Sequence, residues 1–218
     1  MKEILNGVYK KNNRIYTRNL TPGNRTYGEE LIEEKGIEYR NWNPNRSKLA
    51  AAIKNNLKTF PINSKSIILY LGIASGTTAS HLSDISKMIY GIDVSPRVLR
   101  DLIPIAQQRG NIAPMLQDAS QPEQYSNLIP EVDILYQDVS HRKQAEIFIK
   151  NSSYLKKGGY GFITIKARSI DVTKPPKEVY KEVKQKIKTK LKADIIEEIE
   201  LSPFEKDHKM IVIQKRKD

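Results

Sequence analysis

Cysteine is absent from the 218 residues, which removes disulfides, thiolate metal sites and cysteine nucleophiles from consideration. Histidine is scarce: His81, His141 and His208 lie far apart in the sequence, so no metal centre is expected. No uncharged apolar run approaches the roughly eighteen residues that a membrane span requires, so no membrane partner is expected either. The opening Met1-Lys-Glu-Ile-Leu-Asn-Gly7 lacks the apolar stretch and small-residue cleavage site of a secretion signal, which points to a cytoplasmic protein. Acidic residues are the minority charge. The 37 Lys and Arg against 25 Asp and Glu give a formal charge of +12. Such an excess favours a polyanionic partner, nucleic acid first, because phosphate contacts release condensed counterions.

What is present is a regular alternation of short apolar runs with stretches of helical length, the order of a parallel sheet flanked by helices. Ile67 to Leu71 predicts a strand, Gly72-Ile-Ala-Ser-Gly76 a small-residue turn, Thr77 to Lys87 a helix, and Met88 to Ile92 a second strand. Ser95 and Pro96 suit the cap and first turn of the next helix, and Ile112 to Gln117 reads as a third strand. Val132 to Tyr136 supplies a fourth, a polar-started helix runs to about Tyr154, and Gly161 to Ile165 follows a break at Lys157-Gly-Gly159. Lys174 to Lys192 carries Val179, Val183, Ile187 and Leu191 at four-residue spacing and predicts a surface helix. Ile195 to Leu201 and Lys209 to Gln214 form an antiparallel pair that completes seven strands.

Residues 1–54 have another character. Ile4 to Tyr9 and Ile15 to Leu20 flank a turn at Lys10-Lys-Asn-Asn-Arg14, and a Gly/Pro/Asn-rich passage follows. A small hairpin-rich extension is therefore expected ahead of a main domain at 55–218. Leu49, Ala52, Ile53 and Leu57 at helical spacing predict a helix from Ser47 to Leu57 leading into that domain. Tyr39 and Trp42 are compatible with stacking on RNA or with packing the extension onto the main domain, and His81 is read as structural.

A doubly wound sheet binds ligands beyond the carboxyl ends of its strands. At the first such end, Gly72, Ala74 and Gly76 lack bulky side chains, and Thr77 begins a helix whose free N–H groups suit an anion. A plain tight turn has the same composition. Seventeen residues after Gly76 stands Asp93, placed to accept both hydroxyls of a ribose. The turn lacks the full glycine set that a diphosphate needs, so the pair suits an adenosine cofactor without pyrophosphate. Asp118 with Ala119 ends the third strand, where a carboxylate either reads an adenine amino group or caps a turn. Asp138 and Lys166 end the fourth and fifth strands and converge on the same crevice. A lysine at a buried strand end costs desolvation unless it is paired or used.

Six segments, in order, link the chain to a known family: Asn41-Trp-Asn-Pro-Asn-Arg-Ser-Lys-Leu-Ala-Ala51, Tyr70-Leu-Gly-Ile-Ala-Ser-Gly-Thr-Thr78, Gln117-Asp-Ala119, Asp138 at its strand end, Ile165-Lys-Ala167 and Pro203-Phe-Glu-Lys-Asp-His208. Through them, over most of its length, the chain resembles fibrillarin, the 2′-O-methyltransferase of box C/D ribonucleoprotein particles. Methyltransferases often carry an acidic residue where this chain has Tyr70, and fibrillarins share that departure. The Gly/Arg-rich tail of eukaryotic members is missing, so an archaeal form is expected. The segment Asp138-Val-Ser-His-Arg-Lys143 departs from the family's Asp-Val-Ala-Gln, so at Ser140 and His141 only backbone roles carry over.

The resemblance implies a Rossmann-like α/β fold of seven strands, S-adenosyl-L-methionine as cofactor and an RNA ribose 2′-hydroxyl as acceptor. It assigns Thr77 and Thr78 to the methionine end, the turn residues Gly72, Ala74 and Gly76 to the cofactor, Asp93 and Val94 to ribose and adenine, and Asp118 and Ala119 to adenine. Asp138, Val139, Ser140 and His141 would form the far wall. It places the catalytic set on Lys48, Asp138, Lys166 and His208, with Lys166 either taking the hydroxyl proton or stabilising the alkoxide. It also implies a box C/D guide RNA, rRNA or tRNA targets, a Nop-domain scaffold protein and a kink-turn-binding, ribosomal-protein-like subunit. Two rival readings differ in class. One is a methyltransferase for a protein glutamine or another non-RNA acceptor, which the Lys/Asp/Lys/His set disfavours. The other is a non-catalytic RNA-binding module, which the complete set of strand-end carboxylates disfavours.

Overall fold

The computed structural model describes residues 1–217 and places two sheets around shared apolar layers. The N-terminal sheet is antiparallel and holds β1 (Lys2–Leu5), β2 (Val8–Lys11), β3 (Arg14–Arg18), β4 (Leu31–Glu34) and β5 (Ile37–Asn41), in the order β1-β2-β3-β5-β4. The single strand expected over Ile4 to Tyr9 is in fact two, because Asn6-Gly7 turns the chain, with Gly7 at φ +67°. The Gly/Pro/Asn-rich passage supplies β4 and β5.

Helix α1 (Lys48–Lys54) leads into the main sheet. Ser47 caps it by accepting from the Ala50 N–H, an interaction worth about 1 kcal/mol. Then come β6 (Ile67–Leu71), α2 (Thr77–Ser83), β7 (Met88–Asp93), α3 (Pro96–Arg109), β8 (Ile112–Leu116), β9 (Val132–Gln137), α4 (Gln144–Asn151), β10 (Leu155–Lys166), α5 (Ala167–Ile170), α6 (Pro176–Lys190), β11 (Ala193–Glu200) and β12 (His208–Lys215). The sheet order is β11-β12-β10-β9-β6-β7-β8, with β12 antiparallel to both of its neighbours. This is the expected seven-stranded doubly wound sheet. The chain leaves β6 toward β7 and β8 and then returns to its other side at β9, so the switch point lies between β6 and β9.

Three boundaries differ from expectation for physical reasons. Helix α1 ends at Lys54 rather than Leu57, where Asn56 takes a left-handed φ of 69°. Helix α2 stops at Ser83 rather than Lys87, because the Asp84 carboxylate is held by Thr17, Arg40 and Arg109 and the chain turns there. Lys157-Gly-Gly159 does not precede the fifth strand. It lies inside β10, where the register with β9 shifts between Leu155 and Tyr160, and a Cβ at Gly159 would sit 2.9 Å from the Lys156 carbonyl oxygen. Helix α6 buries Val179, Val183 and Ile187 as its spacing predicts.

Helices α1, α2 and α3 cover one face of the sheet, together with the N-terminal strands, and α4 and α6 cover the other. The first apolar layer runs from Val8, Ile15 and Trp42 to Tyr70, Ile134 and Val212, so the core is continuous across residue 54. Trp42 is fully buried and stacks on His81 at 4.9 Å, and Tyr39 packs edge-on against Tyr9, so neither presents a ring to RNA.

Around His81 the junction between the two sheets is a buried polar cluster. Arg40, fully enclosed, directs all five of its N–H bonds at acceptors on Glu29, Asp84, Thr26 and Ser80. His81 Nδ1 lies 2.7 Å from the Thr17 hydroxyl and Nε2 lies 2.8 Å from that of Tyr27. Burial opposes ionisation of Glu29, yet the Arg40 guanidinium and the N–H groups of Thr26 and Tyr27 hold its carboxyl below the usual range.

Candidate functional site

The crevice opens at the carboxyl ends of β6 to β10, where backbone hydrogen bonds continue past the strands. Gly72 N and Ile73 N donate to the Ile92 carbonyl at 2.8 and 3.1 Å, and Asp138 N donates to the Leu71 carbonyl at 2.9 Å. Gly72 has φ +78°, and a Cβ there would lie 2.9 Å from the Asp138 carbonyl oxygen, so only glycine allows β6 and β9 to approach this closely. Ala74 also takes a left-handed φ of 50°, a strained state for alanine, and its N–H donates to Asp93 Oδ2 at 3.0 Å. Asp93 Oδ1 accepts from Ser95 N at 3.0 Å. The carboxylate is thereby fixed at the strand end, and each oxygen keeps a lone pair for a further donor.

The cavity occupies about 350 Å³. It is lined by Gly72 and Ala74 after β6, Ile92, Asp93 and Val94 at the end of β7, Gln117, Asp118 and Ala119 after β8, and Val139 and Ile147. Ser140 and His141 complete the rim. Asp118 Oδ1 accepts from Ser120 N at 2.8 Å, and chiefly this N–H holds its carboxyl below the usual range. His141 Nδ1 accepts from the Lys143 N–H at 3.0 Å, which leaves its proton on Nε2. A largely apolar cavity carrying the Asp93 and Asp118 carboxylates and bordered by Gly72 fits the nucleoside part of S-adenosyl-L-methionine.

Ten of the thirteen expected cofactor residues line this cavity, and Gly76, Thr77 and Thr78 do not. Gly76 is packed beneath Leu102, where a Cβ would sit 2.5 Å from Cδ1. Thr78 turns inward and donates to Ser47 Oγ at 2.9 Å, tying the start of α2 to the cap of α1. Ile92, Gln117 and Ile147 are lining residues that the sequence reading did not single out. Gln117 stood inside a quoted motif, whereas nothing in the sequence marks Ile147.

Beside the cavity the four expected catalytic residues come together. Lys166 Nζ lies 2.8 Å from Asp138 Oδ1, 2.8 Å from the Asp138 carbonyl oxygen and 3.0 Å from Ser140 Oγ. The last two accept hydrogen bonds from Lys166, and Oδ1 is an ion-pair contact. Lys48, the first residue of α1, approaches the other carboxylate oxygen at 3.3 Å and Glu205 at 3.7 Å. Glu205 is a further partner that the sequence reading did not name, although it sits in the Pro203–His208 segment. Asp138 is thus shared between two cations in a half-buried setting. His208 stands directly across β12 from Lys166, so both side chains leave the same face of the sheet. Its Nδ1 lies 2.6 Å from the Lys206 carbonyl, which can only accept. The neutral ring therefore carries its proton on Nδ1 and has a free lone pair at Nε2.

Comparison with known proteins agrees with this geometry. The fibrillarin family model matches residues 1–217. The chain is 55% identical over 206 residues to a fibrillarin-like rRNA/tRNA 2′-O-methyltransferase of Thermococcus sibiricus, covering 93% of this chain and 90% of that protein. The crystal structure of Aeropyrum pernix fibrillarin with natively bound S-adenosyl-L-methionine superposes with a TM-score of 0.85 at 48% identity, covering 92% of this chain and 88% of that one. A fibrillarin/Nop5p complex gives a TM-score of 0.89 at 36% identity, covering 99% and 100%.

Proposed function

This chain belongs to the fibrillarin family, and on that premise we propose that it methylates ribose 2′-hydroxyls of rRNA and tRNA with S-adenosyl-L-methionine as donor. It does so in the cytoplasm as the catalytic subunit of a guide-RNA-directed box C/D particle. The observation that carries this reading is a nucleoside-sized slot opening directly beside a carboxylate clasped by two lysines.

Asp93 would accept the cofactor's ribose hydroxyls on the lone pairs that Ala74 and Ser95 leave free, and Asp118 would accept from the adenine amino group. Val94, Ala119 and Val139 would pack against the base. When bound, the cofactor supplies an electrophilic methyl carbon attached to a sulfonium. The chain must then present a ribose oxygen in line with that carbon and dispose of its proton. Lys166, anchored by the Asp138 carbonyl and Ser140 Oγ beside the Asp138 carboxylate, stabilises the alkoxide that develops. Asp138 fixes Lys166 and Lys48 on either side of the reacting oxygen and sets a negative potential facing the sulfonium. His208 offers Nε2 as the acceptor for the hydroxyl hydrogen.

The net charge of +12 suits a phosphate-rich partner. The Nop5p complex of a relative supports docking on a Nop-domain scaffold. The guide RNA and the kink-turn-binding subunit complete the particle by family resemblance.

The test is reconstitution with a guide RNA and the two partner proteins, followed by mapping of methylated riboses. Methyl transfer at one guide-specified ribose is the expected outcome. In Lys166→Ala, transfer should fall at least a hundredfold, roughly the cost of one oxyanion-stabilising donor, while the cofactor binds as before. Transfer to protein instead of RNA, or near-normal turnover of the variant, rejects the reading.

A further inference from the structure

Lys166 is the last residue of β10, and the chain turns into α5 directly after it. The neighbouring strands do not hold both edges of its backbone. Strand β9 ends at Gln137, opposite Ile163 and short of Lys166. On the other edge β12 reaches His208, and the hydrogen bond there belongs to the next residue, Ala167, whose N–H donates to the Asp207 carbonyl at 3.1 Å. Successive residues of a strand turn their N–H and C=O groups to opposite edges, so those of Lys166 face the side where β9 has ended.

Gln144, the first residue of α4, takes the place of the missing strand. It is fully buried, its Oε1 accepts from the Lys166 N–H at 3.1 Å, and its Nε2 donates to the Lys166 carbonyl at 3.5 Å. A primary amide offers the donor and the acceptor of a peptide group, so one side chain pairs both backbone groups of Lys166. Gln137, also fully buried, holds Gln144 in turn by donating from Nε2 to the Gln144 carbonyl at 2.8 Å. Gln144 does not line the cofactor cavity. A methionine in its place would fill similar space and leave two backbone groups unpaired.

We propose that Gln144 is a positioning residue for methyl transfer, fixing the Lys166 backbone so that the side chain always sets out toward the reacting oxygen from one point. The Lys166 ammonium sits on a flexible four-carbon stem, so its place depends on where the stem begins and on what holds its tip. The tip is held by the Asp138 carbonyl at 2.8 Å and Ser140 Oγ at 3.0 Å, both in the loop that joins β9 to α4. The base is held by Gln144, at the far end of that same loop. The bond from Gln137 to the Gln144 carbonyl closes the loop at its neck. One segment therefore grips Lys166 at both ends, and losing the Gln144 amide releases the base while the tip contacts remain.

This proposal rests on the methyl-transfer reading for its kinetic consequence. Gln144→Met keeps the length of the side chain and removes both bonds to Lys166. In the reconstituted particle kcat should fall about tenfold to a hundredfold, the scale of a misplaced catalytic group, with the KM for RNA and the cofactor Kd unchanged within about twofold. In the ligand-free chain, NMR should show the Lys166 backbone N–H exchanging with solvent at least about tenfold faster than in wild type. The N–H of Ile163, which has strands on both sides, should change by less than about twofold. Gln144→Asn, too short to span both groups, should give the same pattern and serves as the second variant if Gln144→Met does not fold. An unchanged kcat overturns the proposal, and so does an unchanged Lys166 exchange rate. A parallel loss of kcat, cofactor affinity and Tm marks a packing role and also overturns it. If the wild-type particle transfers no methyl to RNA, the functional reading fails, and the Lys166 exchange rate still decides whether Gln144 holds that backbone.

Discussion

His81 makes the joint between the two sheets sensitive to acid. The ring is fully enclosed, stacked on Trp42 and bonded to Thr17 and Tyr27. Burial disfavours its cation, and the Arg40 and Arg109 guanidiniums repel it, so its pKa lies well below the ordinary 6.5. Asp84, 4.0 Å from Nδ1, offers little compensation because Arg40 and Arg109 already claim its oxygens. Below pH 6.5 the unfolded chain takes up a proton that the folded chain refuses, so stability falls with falling pH there and is intact above it. A proton that the fold refuses costs at most about 1.4 kcal/mol per pH unit in that window, so pH 5 removes at most about 2 kcal/mol. For a chain of this size that is a fall in Tm of about 4–8 °C. Calorimetry at pH 7.5 and pH 5.0 on wild type and His81→Gln measures it. The glutamine keeps a donor and an acceptor but does not titrate. It should be less stable than wild type at pH 7.5 and should show less than half of the wild-type acid-dependent shift. An equal acid shift in both proteins would assign the effect to other groups and refute the reasoning.

The cofactor slot offers two sharper perturbations. In Gly72→Ala the new Cβ meets the Asp138 carbonyl oxygen at 2.9 Å on a backbone at φ +78°, so β6 and β9 must part where the slot begins. Cofactor affinity by titration calorimetry should fall at least about tenfold, since a left-handed alanine alone costs about 1–2 kcal/mol, and wild-type affinity would show that the loop relaxes freely. Asp93→Asn can accept from only one of Ala74 and Ser95, and its amide turns a donor toward the ribose. The cofactor Kd should rise about tenfold to a hundredfold, on the scale of a hydrogen bond to a charged group, while kcat at saturation changes little. A collapse of kcat at full occupancy would move Asp93 from binding to chemistry.

The main sheet was legible because its strands are buried on both faces and read as apolar runs, unbroken in Ile67 to Leu71 and interrupted only by Asp133 in Val132 to Tyr136. The strand-end carboxylates followed from that order. Elements that depend on partners distant in sequence were less visible. Strand β4, with Glu33 and Glu34, is defined by pairing with β5 rather than by its own hydrophobicity. Helix α2 ends where Arg40 and Arg109 arrive to claim Asp84, contacts no local window contains. The Lys157-Gly-Gly159 bulge reads as a turn because Gly158 takes a left-handed φ of +78° and Gly159 allows close strand packing, which leaves the same compositional mark. Thr78 looked like a cofactor contact, and only the packing of α1 on α2 shows that its hydroxyl is engaged by Ser47.

Strand β12 is the last element in the chain order, yet it slots between β10 and β11 rather than adding to the outside. Until it arrives, β10 presents a bare row of backbone donors and acceptors, the kind of margin on which chains aggregate. The same insertion delivers His208 to its place opposite Lys166. Sealing the sheet and arming the reactive centre are thus a single event during biosynthesis. A nascent molecule with an open flank cannot yet act on RNA, and one that can act has already hidden the flank.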